Sequence, residues 1–213
     1  MTNFIPIFPL QLVVYPAEAL HLHIFEPRYK QLINECYADN KPFGIPVVIG
    51  KNVKELGTLV EITEIVRVEE NGEMDIKTRG LKVFRVLETM PQVSDKLYSG
   101  AIVHYPERND QGDPERMQRL LKKIRQLHRL LKVEKAFGKP DAELLSYDVA
   151  HHVGLSPEEE YELLRLDQEL HRQEFLRRHL GRVVPIVQEM ENLKERVKLN
   201  GHFKNLSSFE FDF

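Results

Sequence analysis

The amino-acid sequence changes in texture near Pro106, and this change restricts the fold more than any other feature. Before Pro106 the chain is rich in Val, Ile, Phe, Gly and Pro, whereas after it Leu, Glu, Lys and Arg dominate. The segment 106–114 between them is polar and contains glycine and proline, which interrupt regular structure. A strand-rich part followed by a helix-rich part predicts an α+β protein, with a β-domain at 1–106 and an α-helical bundle at 114–200.

The first part carries the alternating pattern of half-buried strands. Residues 19–24 place three apolar side chains on one face, and a short helix follows Pro27 with Cys36 and Tyr37 on its apolar stripe. Asn71-Gly72 predicts a two-residue type I′ turn, because both residue types tolerate a positive φ. Such a turn would join strands at 58–69 and 74–78; further strands are predicted at 43–49, 81–87 and 97–105. About six strands favour a closed or nearly closed barrel.

The second part has the periodicity of amphipathic helices. A first long helix is predicted over 114–137 and a second over 141–153. A third begins at the capping box of Ser156 and Glu159, and a last one runs from about Asp167 to 200. The C-terminal tail, 201–213, contains too many aromatic residues for a segment that stays in solvent, so we expect it to dock on the protein or on a second copy.

Composition and charge exclude several classes of protein. The chain has 30 Lys and Arg against 33 Asp and Glu, and no window approaches the 18 consecutive apolar residues of a membrane span. The N-terminus lacks the basic and apolar regions of a signal peptide. The single cysteine, Cys36, cannot form an internal disulfide, which agrees with a reducing compartment. We therefore predict a cytoplasmic protein with no membrane association.

Signatures of catalysis and of cofactor binding are missing. The sequence contains no P-loop, no Gly-x-Gly-x-x-Gly and no Gly-x-Ser-x-Gly, so nucleotide-dependent enzymes and α/β-hydrolases are disfavoured. Two histidine clusters invite a metal interpretation, but neither has the spacing of a known site, and solvent-facing histidines are the favoured interpretation. We predict no catalytic residue, no cofactor and no metal site. The clusters are His151 with His152, and His171 with Glu174 and His179.

The helix predicted over 115–135 is strongly basic, with eight Lys and Arg against two Glu. A basic amphipathic helix can contact nucleic acid, an anionic membrane surface or an acidic partner. Since the second part as a whole is balanced in charge, we favour ion pairs with the glutamates of the last helix. Binding of a polyanion stays open as the alternative.

Four ordered blocks of sequence resemble the Lon protease N-terminal domain family. The first blocks are Ile7 to Pro16 and Leu20 to Tyr29, followed by Glu55 to Thr58 before a strand and Ile76 to Val86 after the hairpin. The resemblance is clear from about Ile5 to Tyr105 and less specific in the helical part.

This resemblance implies a PUA-like β pseudobarrel packed on a helical bundle, in a module that recognises substrate proteins. Full-length Lon continues into ATPase and protease modules, whereas this chain ends at Phe213. The resemblance therefore implies a non-enzymatic module that binds unfolded or hydrophobic polypeptide segments, as an adaptor or as a regulator of a separate protease. The alternative is an RNA- or nucleic-acid-binding module that uses the PUA-like barrel and the basic helix. The oligomeric state does not follow from the sequence.

The family motifs single out six residues as candidates for binding, in two groups. Both groups also fit a structural role, as an ion pair and a bend that fix the barrel, and that role is favoured. The first group, at the turn between strand and helix, is Glu26, Arg28 and Tyr29, and the second, at the bend after the hairpin, is Thr78, Arg79 and Gly80.

Overall fold

A computed structural model describes residues 2–206 of the chain, with side chains over 3–198. The chain divides into two compact units. Unit 1 comprises Met1–Asp110 and Gly154–Glu169, and unit 2 comprises Gln111–Val153 and Leu170–Phe213. The docking predicted for the aromatic tail falls on side chains outside the described residues.

Unit 1 is built on a six-stranded antiparallel sheet. Its strand order is β1-β6-β5-β4-β3, and β2 pairs with β5. A short helix, α1, follows β2 and covers Pro27–Ala38. The strands are β1 Thr2–Pro6, β2 Ala19–Ile24, β3 Phe43–Ile49, β4 Asn52–Val68, β5 Met74–Met90 and β6 Gly100–His104. The α+β class predicted from the sequence is confirmed.

The sheet of unit 1 closes on itself through the segment that follows β1. Ile7 forms a β-bridge with Gly44, and Leu10 forms one with Val47. The segment after β1, the first strand in the order, therefore meets β3, which is the last strand. Closure encloses a core in which Phe43 and Phe84 are fully buried. The main cluster packs the inner face of α1 against the sheet and includes Leu32, Ile33, Ile45, Val60 and Ile76.

The hairpin predicted at Asn71-Gly72 is present, but its turn differs from the prediction. The amide of Glu69 donates to the carbonyl of Glu73 over 2.7 Å, which closes a three-residue loop. Only Gly72 has a positive φ, 76°, whereas a type I′ turn needs two such residues. The side chain of Asn71 accepts from the amide of Glu73 over 2.9 Å and so fixes the loop in a different way.

One helix belongs to unit 1 although it comes after the first segment of unit 2 in the sequence. Helix α4, Pro157–Arg165, begins with the predicted capping box, in which the Ser156 hydroxyl accepts from the amide of Glu159. The backbone amide of Leu56 donates to the hydroxyl of Tyr161 in this helix over 3.3 Å. The hydroxyl of Tyr15 donates to the carbonyl of Glu160 over 3.1 Å. These bonds fasten α4 to the sheet.

Unit 2 is helical. Helix α2 covers Pro114–Leu131, α3 covers Ser146–Val149, and α5 covers Glu169–Leu206 with Pro185 inside it. The first helix is shorter than predicted because Lys132 takes a left-handed conformation with φ 55° and ends it. The predicted helix 141–153 is broken into short turns around α3. Helix α5 continues beyond residue 200, where the sequence predicted its end.

Candidate functional site

The first group of predicted site residues fastens the start of α1. The Glu26 carboxylate accepts from Arg28 over 2.7 Å, and the Arg28 guanidinium lies 4.5 Å from the centre of the Tyr29 ring. That ring is buried and stacks on Phe8, with 3.8 Å between ring centres. Burial raises the pKa of the Tyr29 hydroxyl. The two charged side chains of this ion pair reach solvent, with Arg28 52% and Glu26 37% exposed.

The second group lies in the middle of β5 and is mostly buried. The Thr78 hydroxyl donates to the carbonyl of Leu20 over 3.0 Å. Gly80 is buried against the chain before β2, and a Cβ atom at this position would overlap the carbonyl oxygen of Tyr15. Arg79 is exposed and stands opposite Glu61 of β4. Only Arg79 of this group is therefore available to a partner.

The two groups are not brought into one site. Along the β2–β5 ladder, Leu20 pairs with Thr78 while Ile24 pairs with Met74, four residues further on. At roughly 3.3 Å per residue, this separates the groups by ~13 Å or more. The binding role of the six residues stays a prediction.

Helix α1 is covered along one flank by the loop between β5 and β6. The Glu35 carboxylate accepts from the Tyr98 hydroxyl over 2.6 Å, from Lys96 over 2.9 Å and from Gln31 over 3.0 Å. The hydrogen bond from Tyr98, more than the other two, lowers the pKa of Glu35. The loop is thus held on the helix by hydrogen bonds to a half-buried carboxylate, while the C-terminal end of α1 is left open.

At this open end, α1 and two strands form a small groove of about 120 Å³ with both polar and apolar side chains in its lining, which we call the Tyr37 groove. Tyr37 is 51% exposed and Leu81 is 39% exposed, although the sequence pattern placed Tyr37 on the buried stripe of the helix. Burial raises the pKa of the neighbouring Cys36 thiol to about 12, so this thiol stays protonated and unreactive at neutral pH. The groove is lined by Cys36, Tyr37, Asn40, Lys41, Pro42, Glu61, Ile62 and Leu81.

The Tyr37 groove lies where β4 becomes an edge strand. Residues 57–60 of β4 pair with both β3 and β5, whereas Glu61 to Val68 pair only with β5 among the described residues. Val66 and Val68 are more than half exposed along this edge. An edge strand offers unpaired backbone donors and acceptors to another extended chain. Groove and edge together can hold an extended segment that carries an apolar side chain.

Unit 2 presents a basic surface on α2. Three of its cations form ion pairs, Arg116 with Asp113, Arg119 with Glu115 and Arg125 with Asp141. The expected pairing with the last helix is not seen for these three. On α5, the Glu174 carboxylate binds Arg177 and Arg178 of its own helix, which lowers its pKa to about 2.

The other cations of this helix and of the turn after it have no acidic partner within 4 Å among the described residues. Four of them, Lys122, Lys123, Arg129 and Lys135, line an open cleft of about 950 Å³. Glu134 is the one acidic residue of that lining. The unpaired positive charge is therefore concentrated in one place, which we call the α2 cleft.

Two histidines of unit 2, His128 and His179, lie in its core, whereas His151 and His171 are exposed. His179 was expected to face solvent but is 2% exposed, and its Nε2 donates to the carbonyl of Val153 over 3.0 Å. The Nε2 of His128 donates to the carbonyl of His152 over 2.8 Å. Within residues 3–198, no three His, Cys, Asp or Glu side chains come together in a way that would hold a metal ion.

The closed antiparallel sheet, followed by helices that end in one long helix, defines an α+β domain. Over residues 5–181 the chain matches the family described as the ATP-dependent protease La (LON) substrate-binding domain. The protein belongs to this family. No match to the ATPase or protease domains of Lon was found within the chain.

Solved structures agree with this family. A Lon N-terminal domain protein from Xanthomonas campestris is 26% identical, with a TM-score of 0.61, and the match covers 82% of this chain and 96% of that one. The N-terminal domain of the Mycobacterium avium complex Lon protease is 14% identical, with a TM-score of 0.62, and the match covers 85% and 100% of the two chains. Among curated proteins, none matches this sequence. In the described part of the chain, no helix combines the length and the apolar character that crossing a membrane requires.

Proposed function

We propose that this protein is a non-enzymatic recognition module that binds unfolded or hydrophobic polypeptide segments in the cytoplasm, as an adaptor or regulator in protein quality control. The observation that carries this proposal is the Tyr37 groove. Tyr37 and Leu81 both line this groove and are 51% and 39% exposed, so a partner that covers them removes apolar surface from water. Membership of a substrate-binding domain family supports the same function.

The chemistry of the Tyr37 groove fits an extended segment better than a folded partner. Ile62, Leu81 and Pro42 supply apolar side chains to its lining, and Lys41 and Glu61 supply one charge of each sign. A small groove of this kind takes one apolar side chain, while polar rim groups bond the backbone beside it. The open edge of β4 continues from the groove and can pair with that backbone. Arg79, opposite Glu61, stands at the border of this site.

Substitution of the groove residues is expected to weaken binding of an unfolded client. Leu81→Glu and Tyr37→Glu each replace an apolar side chain of the groove by a charged one, so we expect the affinity to fall at least fivefold. Because both side chains are already exposed, the melting temperature should change little. The measurement is fluorescence anisotropy with a labelled, reduced and carboxymethylated protein that cannot fold, and the client should remain uncleaved throughout.

A control for this experiment lies on β4. Val53 of β4 is 54% exposed but does not line the groove, so Val53→Glu should bind the client within twofold of the wild type. If all three variants lose affinity equally, general surface hydrophobicity rather than the groove drives binding. Fragments of the client that accumulate with time would contradict the non-enzymatic character.

The α2 cleft favours a second candidate function, the binding of RNA or another nucleic acid. Cations without acidic partners retain their full attraction for phosphates, and several within one cleft can contact successive phosphates of a strand. A smaller cleft of about 380 Å³ is lined by residues of α2 and α5, and its charged residues are Arg116, Arg119, Lys123, Arg177 and Glu174.

For this second function we expect binding of single-stranded RNA that weakens steeply with salt. Replacing Lys122 and Arg129 by Ala removes two phosphate contacts, so the slope of log K against log salt should become shallower by about 1 to 2. Lys51→Ala, an exposed cation of unit 1, is the control and should leave the slope unchanged. Absence of any binding at low salt would remove this candidate.

A further inference from the structure

One face of α5 begins in the core of unit 2 and then emerges uncovered. At alternating steps of four and three residues, this face carries Leu176, His179 and Val183. The first two are at most 2% exposed, and His179 bonds the carbonyl of Val153. The segment before α4 therefore covers the first half of the face.

The same face continues with four apolar residues that nothing in the described chain covers. They follow the same spacing and are among the most exposed apolar side chains of the protein, with exposed fractions between 53% and 63%. We call them the α5 stripe: Ile186, Met190, Leu193 and Val197. A core-type face that continues into solvent for three turns calls for a partner, since helix faces of this kind gain their stability from packing.

The charges beside the α5 stripe indicate what that partner is. Glu189 directly precedes Met190, and Arg196 directly precedes Val197. Both charged residues therefore occupy the same position of the heptad pattern that the stripe defines. Neither forms an ion pair within 4 Å among the described residues. Lys194, on the other flank, is already bonded to Glu191 of its own helix over 2.6 Å. The stripe thus carries one free negative and one free positive charge along the same border.

We propose that two copies of this protein pair through the α5 stripe, with the two helices antiparallel. In that arrangement Met190 of one copy packs beside Leu193 of the other, and Ile186 packs beside Val197. Glu189 of each copy then meets Arg196 of the other, so the surface is complementary to itself, as a two-fold contact requires. A parallel pair would instead place Glu189 beside Lys194, whose charge is already engaged.

The test is the oligomeric state of the full chain, measured by sedimentation equilibrium over a range of concentrations. The wild type is expected to form dimers at micromolar concentrations. Met190→Glu combined with Leu193→Glu should weaken the dimer at least tenfold without loss of helical circular dichroism. Glu195→Lys, on the opposite side of α5, should leave the dimer intact. A monomeric wild type at 100-fold higher concentration overturns the proposal.

A charge exchange tests the orientation. Glu189→Arg alone and Arg196→Glu alone each place like charges together at both ends of an antiparallel pair, so each should weaken it. The variant that carries both changes restores opposite charges and should dimerise as the wild type does. Failure of the double variant to recover, with the single variants weakened, overturns the antiparallel arrangement.

Discussion

Gly80→Ala is expected to destabilise unit 1 by about 3 kcal/mol or more, because the new Cβ atom would overlap the carbonyl oxygen of Tyr15. The backbone cannot move away easily. The amide of Gly80 donates to the carbonyl of Glu18 and its carbonyl accepts from the amide of Ala17, both over 2.8 Å. The φ of Gly80 is not positive, so the cost comes from the close approach of the two chain segments and not from the backbone conformation.

The measurement for Gly80→Ala is urea unfolding followed by far-ultraviolet circular dichroism and by tyrosine fluorescence, since the chain has no tryptophan. Gly181→Ala is the matched control. It lies within α5 with no atom within 4 Å of its added Cβ, so it should raise stability by about 0.5–1 kcal/mol. If Gly80→Ala folds as stably as the wild type but loses affinity for a client, Gly80 belongs to the binding site rather than to the scaffold.

Arg108→Ala is the second change with a large expected effect, a loss of about 2–4 kcal/mol. The Arg108 side chain is 11% exposed and serves three acceptors near the end of α4. It bonds the Asp167 carboxylate over 3.0 Å, and the carbonyls of Leu164 and Leu166 over 3.0 and 2.6 Å. Removal of the guanidinium leaves these carbonyls without their donor and loosens α4 from unit 1.

The same unfolding measurement tests Arg108→Ala, with Arg85→Ala as its control. Arg85 pairs with Glu55 over 3.3 Å, but both side chains are about half exposed, so this pair should contribute at most ~1 kcal/mol. Arg108→Lys should recover only part of the loss, because an ammonium group cannot reach three acceptors in the fixed geometry of a guanidinium. Equal effects of Arg108→Ala and Arg85→Ala would contradict the importance of burial here.

Local signals in the sequence predicted the elements whose ends are chemically marked. The start of α2 at Pro114, the capping box at Ser156 and the hairpin at Asn71-Gly72 all appear where the sequence placed them. The predicted number of strands equals the observed number only because two errors cancel. The sequence pattern missed β1, and it divided β5 in two at Gly80, because a glycine that admits a close neighbour looks the same as one that ends a strand.

Features that depend on distant contacts were not predictable from one sequence. The exposure of Tyr37 depends on which parts of the chain lie beside the last turn of α1, and periodicity assigns the residue to the buried stripe. The burial of His179 depends on the carbonyl of Val153, which lies 26 residues away. The free cations of α2 are defined by which acids lie nearby, and charge counts alone favoured internal pairing.

The return of α4 to unit 1 sets the order in which the protein can fold during synthesis. All six strands precede residue 110, yet Tyr161 and the acceptors of Arg108 are in the segment that ends at Glu169. The ribosome must therefore translate the 43 residues Gln111–Val153 before it reaches this segment. At about 5–20 residues per second, translation of these residues takes several seconds. During this time the sheet surface that contacts α4 stays uncovered.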